Sequence, residues 1–368
     1  MKTVLVSLIS NQTIPNLQFI KEKKADGYLF ISTYKMEKEG ITNWLLESSH
    51  LTKEQYQIIT VDAMSYDAIS EALEQVTNDN EHYIVNLTGG TKIMSLAVND
   101  FFKNLSSEMY YLTGSNKYIK IFPGRSKPIL DLMSTITLEE YLTAYGFKVG
   151  RKSTPVKSLQ ETKRLLAYYL NDIVEQDYDV LNHIRTKYRS KKKGIKDLST
   201  EPELIMLLDR LSFNSFKDNT LSRDEVEYLT GEWLEEYVYL TLKEQEQIQD
   251  HFIGMGWIID KESEERLPSN EFDIMFIKNN SLHILECKTS IFTDLSQKRN
   301  IISQTIYKSD SLRNGFGLFA NTAILTLSDL NNPKLEDPLK RAKASKVAVA
   351  GRDKFINETK ILDVFKPH

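Results

Sequence analysis

The chain has 368 residues, of which 41% are hydrophobic and 27% are charged, and its formal net charge is -4. This composition is typical of a globular protein with enough length for two domains. It excludes a nonspecific polycation, and no apolar run is long enough to cross a bilayer, so no membrane partner is expected.

The cysteine content limits the kinds of site that are possible. Cys287 is the single cysteine, so neither an internal disulfide nor a zinc site of several thiolates can form. The six histidines show no paired-ligand spacing. The first residues, MKTVLVSLISNQTIP, predict a β-strand because no small-residue cleavage site follows the apolar stretch. Together these features favour a reducing, cytoplasmic compartment.

The first part of the chain alternates strand and helix patterns, which predicts a mostly parallel sheet in a Rossmann-like α/β domain. The predicted strands are Val4–Ile9, Tyr28–Ser32, Gln57–Val61 and His82–Leu87, and the predicted helices include Lys35–Glu47, Tyr66–Val76 and Ile93–Phe102. Two more strands, Met109–Leu112 and Lys117–Phe122, flank a Gly-Ser-Asn turn and predict an antiparallel hairpin.

A change of pattern near residue 148 predicts the domain boundary. Leu138–Tyr145 is expected to be the last helix of a domain of residues 1–148, and the polar, proline-containing stretch 149–160 is expected to be a linker. Residues 161–368 then form a second domain that begins with helices. Its basic run, Arg185–Lys196, is open to two interpretations: a solvated surface, or a guide for a nucleic-acid backbone.

The strongest chemical pattern lies in two strand-like segments, Asn270–Ile277 and Ser281–Lys288. Asn279 and Asn280 between them favour a two-residue hairpin turn, because asparagine tolerates the left-handed conformation that this turn needs. The turn predicts that residue 278 pairs with 281, so that Asp273 lies opposite Glu286. A period of two places Lys288 on the same face as Glu286.

Two carboxylates that face each other across a ladder repel, and a divalent cation between them reverses that effect. Mg²⁺ or Mn²⁺ suits an all-oxygen site. The alternative is an edge hairpin whose charges face solvent, with Lys288 simply paired to a carboxylate. Apolar neighbours such as Phe272, Ile274 and Leu285 favour a hairpin with one buried face. A helix wheel places Glu232, Glu235 and Glu236 outside the buried arc that contains Trp233.

These residues resemble the PD-(D/E)xK nuclease superfamily over roughly residues 225–330. The motifs are Gly-x-x-Leu-Glu-x-x-Val at 231–238, Glu-Phe-Asp at 271–273, Glu-Cys-Lys at 286–288, and Tyr307-Lys308; Phe272 stands where the superfamily name has proline. The resemblance implies a restriction-endonuclease-like α/β fold. It also implies that Glu235, Asp273 and Glu286 bind metal and that Lys288 assists catalysis. Glu271 and Gln304 are weaker candidates.

A glycine-rich turn follows the predicted strand His82–Leu87. Thr88, Gly89, Gly90, Thr91 and Lys92 open the next helix, where backbone N–H groups and the helix dipole favour an anion. A tight turn that needs glycine for its dihedrals explains the pattern equally well. The polar loop Ser10, Asn11, Gln12 and Thr13 follows the first strand. In a parallel sheet both loops are expected at one crevice, where ligands usually bind.

The segments Val6–Thr13 and Asn86–Met94 resemble the CARF domain, the cyclic-oligoadenylate sensor of type III CRISPR defence, over roughly residues 1–145. A CARF domain followed by such a nuclease implies a homodimer that binds cyclic tetra-adenylate and then cuts DNA or RNA with Mn²⁺ or Mg²⁺. Two alternatives remain open at the level of sequence: a ligand-responsive regulator that no longer catalyses, and a restriction-type DNase that needs no nucleotide signal.

Overall fold

The computed structural model describes residues 1–114, 116–124, 129–213, 219–261, 270–292 and 301–366. Ser115, inside the predicted Gly-Ser-Asn turn, lies outside the described residues. Among the helices of the described ranges, none has the length and apolar character that crossing a bilayer requires.

The first part of the chain forms a sheet in the order β3-β2-β1-β4-β5-β6-β7. Its strands are β1 (Lys2–Leu8), β2 (Gly27–Thr33), β3 (Tyr56–Val61), β4 (Glu81–Asn86), β5 (Ser107–Gly114), β6 (Lys117–Phe122) and β7 (Leu130–Asp131). Strands β1 to β5 pair in parallel, whereas β6 is antiparallel to both β5 and β7. The predicted α/β sheet and its antiparallel hairpin are therefore confirmed.

Helices cover this sheet. They are α1 (Ile14–Glu22), α2 (Tyr34–Lys38), α3 (Ile41–Ser49), α4 (Tyr66–Glu74), α5 (Lys92–Phe102) and α6 (Leu138–Thr143). The single helix predicted over Lys35–Glu47 is wrong, because it is divided into α2 and α3 at Gly40. Gly40 has a φ of 75°, a left-handed conformation that ends one helix and allows the chain to start the next.

The second sheet has the order β13-β12-β11-β10-β9-β8. Its strands are β8 (Phe147–Ser153), β9 (Ile253–Lys261), β10 (Asn270–Lys278), β11 (Ser281–Lys288), β12 (Ala320–Thr326) and β13 (Val347–Ala350). The pairs β8–β9, β9–β10 and β10–β11 are antiparallel, whereas β11–β12 and β12–β13 are parallel. The predicted linker at 149–160 needs a correction, since its first residues belong to β8. The polar character of this stretch and its proline suggested a linker, but polar and charged residues are also common on an edge strand.

The helices of the second part are α7 (Leu159–Asn171), α8 (Glu175–Ile184), α9 (Pro202–Arg210), α10 (Arg223–Glu227), α11 (Trp233–Leu240), α12 (Ile302–Asn314), α13 (Glu336–Ala344) and α14 (Arg352–Ile356). Most pack in one apolar cluster with one face of the second sheet. Trp233 of α11 and Ile274 of β10 are both fully buried in that cluster. The predicted helical lead-in is therefore present.

The two halves of the chain share a continuous apolar core. Tyr141 of α6 and Phe19 of α1 belong to the same buried cluster as Met275 of β10 and Phe316, which follows α12. Burial of this surface stabilises the contact by roughly 25 cal/mol per Å² of apolar area. The two sheets are therefore joined by packing as well as by the chain.

The turn between β10 and β11 is also part of this contact. Asn279 and Asn280 both have positive φ values, 51° and 56°, as the predicted two-residue turn requires. The buried Asn280 side chain accepts a bond from Ile136 N (2.8 Å) and donates to Asn116 Oδ1 (2.6 Å) and Ser134 O (2.9 Å). The hairpin turn is thus anchored in the first half of the molecule.

We predict that Asn280→Gly lowers the free energy of unfolding by about 2 kcal/mol, because it keeps the left-handed backbone but leaves buried polar groups unpaired. Asn279→Gly is the matched control, since Asn279 is exposed and should change stability by less than about 0.5 kcal/mol. Urea unfolding of both variants tests the prediction. Equal stability of the two variants would contradict it.

Candidate nuclease site and ligand pocket

The predicted nuclease residues meet at the end of the β10–β11 hairpin. The Lys288 Nζ atom lies 2.7 Å from Glu286 Oε1 and 3.2 Å from Asp273 Oδ2. Its ammonium group therefore bridges the two carboxylates. Only 12% of each carboxylate side chain is exposed, so the charges are largely removed from water. The structure brings these three side chains together as the sequence predicted.

The geometry of Asp273 differs from a regular ladder position. Residue 278 pairs with 281, as predicted, and the regular pairing continues to Ile274 opposite Leu285. One step further, Asp273 Oδ2 accepts a hydrogen bond from the backbone N–H of Cys287 at 2.7 Å. A side-chain oxygen thus takes the place of a backbone carbonyl. The carboxylate is therefore held against the backbone of β11.

Helix α11 supplies the third acidic residue, Glu235. Its side chain is partly buried, and the residues on either side of it, Leu234 and Glu236, are buried. Within the described ranges, no hydrogen bond or ion pair to the Glu235 carboxylate is formed. Burial, reinforced by the negative charges of Asp273 and Glu232, raises the pKa of Glu235 well above its ordinary value. Helix α11 contacts both β10 and β11, so Glu235 is carried on an element that packs against the hairpin.

The expectation that Glu236 lies outside the buried arc is wrong. Glu236 is 4% exposed, and its two oxygens accept hydrogen bonds from the backbone N–H groups of Val156 (2.8 Å) and Lys157 (3.1 Å). A helix wheel cannot show this, because a buried carboxylate is tolerated where backbone donors satisfy it. Glu236 therefore anchors the chain that enters α7.

The surroundings of the hairpin residues shift the pKa values of its two carboxyl groups in opposite directions. Burial raises the pKa of Asp273, and Lys288 only partly offsets this. Burial also opposes ionisation of Glu286, but Lys288 and Lys308 outweigh it and lower the pKa of Glu286. Burial alone would lower the pKa of Lys288, yet the two carboxylates raise it. The site thus holds a permanently charged ammonium and a firmly ionised Glu286.

The donor set fits a divalent cation in its chemistry, with one adjustment. All three acidic groups offer oxygen, which Mg²⁺ and Mn²⁺ prefer, and a positive group already lies between two of them. However, the described residues contain no cluster of three or more Asp, Glu, His or Cys side chains arranged as ligands. Lys288 occupies the space between the carboxylates, so its ammonium would move aside as a cation entered.

A further lysine contacts the acidic cluster, and two arginines of the basic run contact the residues that precede α11. The Lys308 Nζ atom of α12 is 3.4 Å from Glu286 Oε2 and is 44% exposed. Arg189, on the turn Arg185–Arg189 after α8, donates to Thr230 and lies 3.6 Å from Glu232. Two members of the basic run are therefore packed against the domain: Arg189 and Arg185, which donates to Thr230 O at 2.8 Å. Lys191, Lys192 and Lys193 are exposed.

The weaker candidates lie on the surface. Glu271 is an exposed residue of β10, and Gln304 and Tyr307 are exposed on α12. The Tyr307 hydroxyl is 3.5 Å from Arg341 Nη1. No contact in the described ranges joins these three residues to Asp273 or Glu286, so the structure does not place them in the cluster.

The second site is a cavity of about 1030 Å³ at the carboxyl ends of β1 to β4. The sheet order places β1 and β4 side by side with their connections leading in opposite directions. Crevices at such a switch point commonly bind ligands in α/β proteins. The predicted residues that line it are Ser10, Asn11, Gln12, Thr88, Gly89, Gly90 and Thr91.

Two predicted ligand residues do not line this cavity. Thr13 is buried, and its hydroxyl donates to Ala144 O at 2.6 Å, so it holds the start of α1 against α6. Lys92 begins α5 but its side chain is exposed. Both lie next to lining residues along the chain. The sequence does not specify which way each side chain points at the end of a strand, so it could not distinguish these two residues from their neighbours that line the cavity.

The glycine-rich turn is required by its surroundings. A Cβ atom on Gly89 would lie 2.2 Å from the Leu8 carbonyl oxygen, and Gly90 has a φ of 74°. Thr91 accepts a bond from Met94 N at 3.2 Å, which caps α5. The turn therefore brings backbone N–H groups to the cavity wall at the positive end of a helix. Close packing and ligand binding are compatible explanations of the same residues.

Other lining residues were not predicted from the sequence. Thr33 ends β2, and Asp62 follows β3, so the rule that gave the β1 and β4 loops would have found them. Leu318 and Phe319 lie between α12 and β12 and also line the cavity. Their position, more than 200 residues further along the chain than the other lining residues, left no signal in the sequence.

Comparisons with known proteins agree with the division of the chain into these two domains. Residues 4–141 match the family model of the Card1 CARF domain, and residues 222–367 match that of the Card1-like endonuclease domain. The predicted CARF and nuclease resemblances are therefore confirmed at the level of these two domains. Assignment of the second domain to the PD-(D/E)xK superfamily stays a prediction. No curated protein matches the sequence.

Solved structures share the whole fold. Protein VC1899 from Vibrio cholerae is 20% identical, with a TM-score of 0.78 over 98% of this chain and 97% of its own. Can2 from Sulfobacillus thermosulfidooxidans, in complex with cyclic tetra-adenylate, is 23% identical, with a TM-score of 0.73 over 99% and 97%. A type III CRISPR defence DNA nuclease activated by cyclic oligoadenylate is 15% identical, with a TM-score of 0.53 over 89% and 45%. At these identities the likeness establishes the two-domain fold.

The raised pKa of Glu235 generates a prediction about pH. A carboxyl whose pKa is higher in the folded state destabilises the fold as pH rises above the ordinary value of 4.5, since ionisation is then more costly in the folded protein than in the unfolded one. In metal-free buffer, Glu235→Gln should therefore melt at a higher temperature than the unmodified protein near about pH 8. The difference should vanish near about pH 4, where both side chains are neutral.

Glu244→Gln is the matched control, because Glu244 is exposed on the turn that follows α11. It should not change the melting temperature at either pH. A Glu235→Gln variant that is less stable than the unmodified protein at the higher pH would contradict the burial of this charge.

Proposed function

We propose that this chain, which combines a Card1-type CARF domain with a Card1-like endonuclease domain, is a cyclic-oligoadenylate-activated nuclease that cleaves DNA or RNA in type III CRISPR defence. The observation that supports it best is the pair of sites in one chain. A buried acid–lysine cluster closes the β10–β11 hairpin, and a cavity of about 1030 Å³ opens at the strand ends of the first sheet. We propose that the protein acts in the cytoplasm, where both the cyclic oligoadenylate and the nucleic-acid substrate occur.

The chain's own residues suit hydrolysis of a phosphodiester. Lys288 carries a permanent charge that can stabilise developing negative charge on phosphate. Lys308, half-exposed and near Glu286, offers a second cation at the mouth of the cluster. Asp273 is held rigidly by the Cys287 N–H, so an acceptor oxygen is fixed before substrate arrives. Such preorganisation is what makes charged groups effective in a low-dielectric site.

We further propose that the site takes Mn²⁺ or Mg²⁺, with Asp273, Glu286 and Glu235 as its ligands. The raised pKa of Glu235, which has no paired cation in the described part of the chain and is repelled by Asp273 and Glu232, supports this, because a bound cation would relieve that repulsion. Bound there, such an ion would lower the pKa of a water molecule and polarise a phosphoryl oxygen. Lys288, displaced from its bridge between the carboxylates, would then be free to contact the substrate.

The activator is proposed from the chemistry of the cavity. Backbone N–H groups of the Gly89–Gly90 turn suit phosphate, and Tyr34 and Tyr111, which line the cavity, provide aromatic surface for adenine. The complex of Can2 with cyclic tetra-adenylate supports a ring of four nucleotides. A ring of this kind has two-fold symmetry, so it suits identical cavities of two chains. We therefore propose a homodimer, with the ligand across its axis.

Substitution at the cluster tests the nuclease. Glu286→Ala and Lys288→Ala should each lower the rate of cyclic-tetra-adenylate-stimulated cleavage in Mn²⁺ at least about 100-fold, since each removes a charge from the reacting centre. Lys278→Ala is the control, because Lys278 is exposed at the other end of β10. Cleavage of single- and double-stranded DNA and RNA should be measured, with and without chelator.

The same measurements separate the alternatives. No cleavage by the unmodified protein under any of these conditions would favour a regulator without catalysis. Equal cleavage with and without the cyclic nucleotide would favour a nuclease that needs no signal. Cleavage by Glu286→Ala at the unmodified rate would show that the cluster is not the active site.

A charge placed in the cavity tests the sensor. Asn11→Asp should weaken binding of cyclic tetra-adenylate at least about tenfold, because a carboxylate at the exposed, cavity-lining Asn11 repels phosphate at a cost of about 1.4 kcal/mol or more. Asn171→Asp is the matched control, as Asn171 is exposed at the end of α7. Calorimetry should show unmodified affinity for the control. Equal affinity of both variants would place the ligand elsewhere.

A further inference from the structure

The side chain of Gln12 joins the cavity to the endonuclease domain. Its Oε1 atom accepts hydrogen bonds from the backbone N–H of Leu318 (3.0 Å) and from the Tyr145 hydroxyl (3.2 Å). The neighbouring Tyr141 hydroxyl donates to the Phe316 carbonyl oxygen at 3.0 Å. Three side chains of the CARF half thus hold one short segment of the other half.

This segment fits closely against the CARF half. Gly317, at its centre, has a φ of 77°, and a Cβ atom there would lie 1.9 Å from the Tyr145 hydroxyl oxygen and 2.8 Å from Gln12 Oε1. A side chain at residue 317 would therefore displace Tyr145, Gln12 or both. A contact this tight transmits displacement, because packed atoms cannot be compressed.

The same segment forms part of the cavity wall. Leu318 and Phe319 line the cavity together with Gln12. The Leu318 side chain is 79% exposed, although it is large and apolar and its backbone is fixed. An apolar side chain held open at a cavity is well suited to contact the face of a base.

The segment is also joined along the chain to two elements that contact the strand and side chain of Glu286. It follows α12, whose Lys308 lies 3.4 Å from Glu286, and it leads into β12. The Phe319 carbonyl accepts from Leu282 N at 2.9 Å, and β12 then pairs with β11 so that Ile324 lies opposite Glu286. A shift of the segment would therefore move both elements that position Glu286.

We infer that residues 317–319, although part of the endonuclease domain, form a wall of the nucleotide pocket and couple its occupancy to the Glu286 cluster through the Gln12–Tyr145 contact. This inference rests on the proposed function. A ligand that covers Leu318 touches both domains at once. If the ligand binds more tightly when the segment is in one position, it also favours the arrangement of the β10–β11 hairpin that goes with that position.

Two variants of the full chain test the inference, each with a control. Leu318→Ala should weaken binding of cyclic tetra-adenylate about tenfold, the effect of losing most of a leucine contact. Ile356→Ala, which shortens an exposed side chain outside this cavity, should bind as the unmodified protein does. Tyr145→Phe should retain affinity within about twofold but lose ligand-stimulated cleavage about fivefold.

Tyr66→Phe is the control for Tyr145→Phe, since it also removes a hydrogen-bonded hydroxyl, 3.0 Å from Asp100 and outside the cavity. The ligand should stimulate cleavage by Tyr66→Phe as much as cleavage by the unmodified protein. Melting temperatures show whether every variant is folded. If Leu318→Ala bound the ring with unmodified affinity, residues 317–319 would not be part of the pocket wall. If cleavage by Tyr145→Phe were fully stimulated, the Gln12–Tyr145 contact would not couple the pocket to the Glu286 cluster. If the unmodified protein itself neither binds nor responds to the ring, the proposed function fails instead.

Discussion

The ion bridge from Lys288 to Asp273 and Glu286 is the interaction on which the endonuclease half depends. Two carboxylates cannot remain ionised in a largely buried position without a cation between them. The sequence supplies that cation two residues after Glu286, and the neighbouring backbone N–H of Cys287 fixes Asp273. The helix that carries Glu235 packs over this arrangement. Because the charges are already compensated, the fold can form with the acidic residues in position.

The CARF half depends on a different constraint, which is the close approach of backbone segments at one edge of a sheet. The Leu8 carbonyl leaves no room for a side chain at residue 89. The loops after β1 and β4 therefore meet, and a cavity forms between them. Gln12 extends from the first of these loops to the endonuclease half. The sensing end of the molecule is thus attached to the cutting end by a polar contact as well as by apolar packing.

The sequence predicted the features that depend on local rules. Two adjacent asparagines specified the hairpin turn, and the turn in turn specified the register of Lys278 with Ser281. The alternation of strands and helices predicted the parallel sheet. Features that depend on distant partners were not predictable. Residues 150–153 join β8 because β9, about 100 residues later, pairs with them. Glu236 is buried because donors at residues 156 and 157 satisfy it, and Thr13 turns away from the cavity because Ala144 accepts its hydroxyl.

The anchoring of Asn280 has a consequence for how such proteins can be modified by recombination. The tip of the nuclease hairpin is completed by groups at residues 116, 134 and 136, and the adjoining core places Met275 and Trp257 against the helices of the CARF half. An endonuclease domain expressed alone would expose that apolar surface and leave the turn amide unpaired. Exchange of CARF domains between relatives would therefore succeed only if the hairpin tip and its receiving loops were exchanged together.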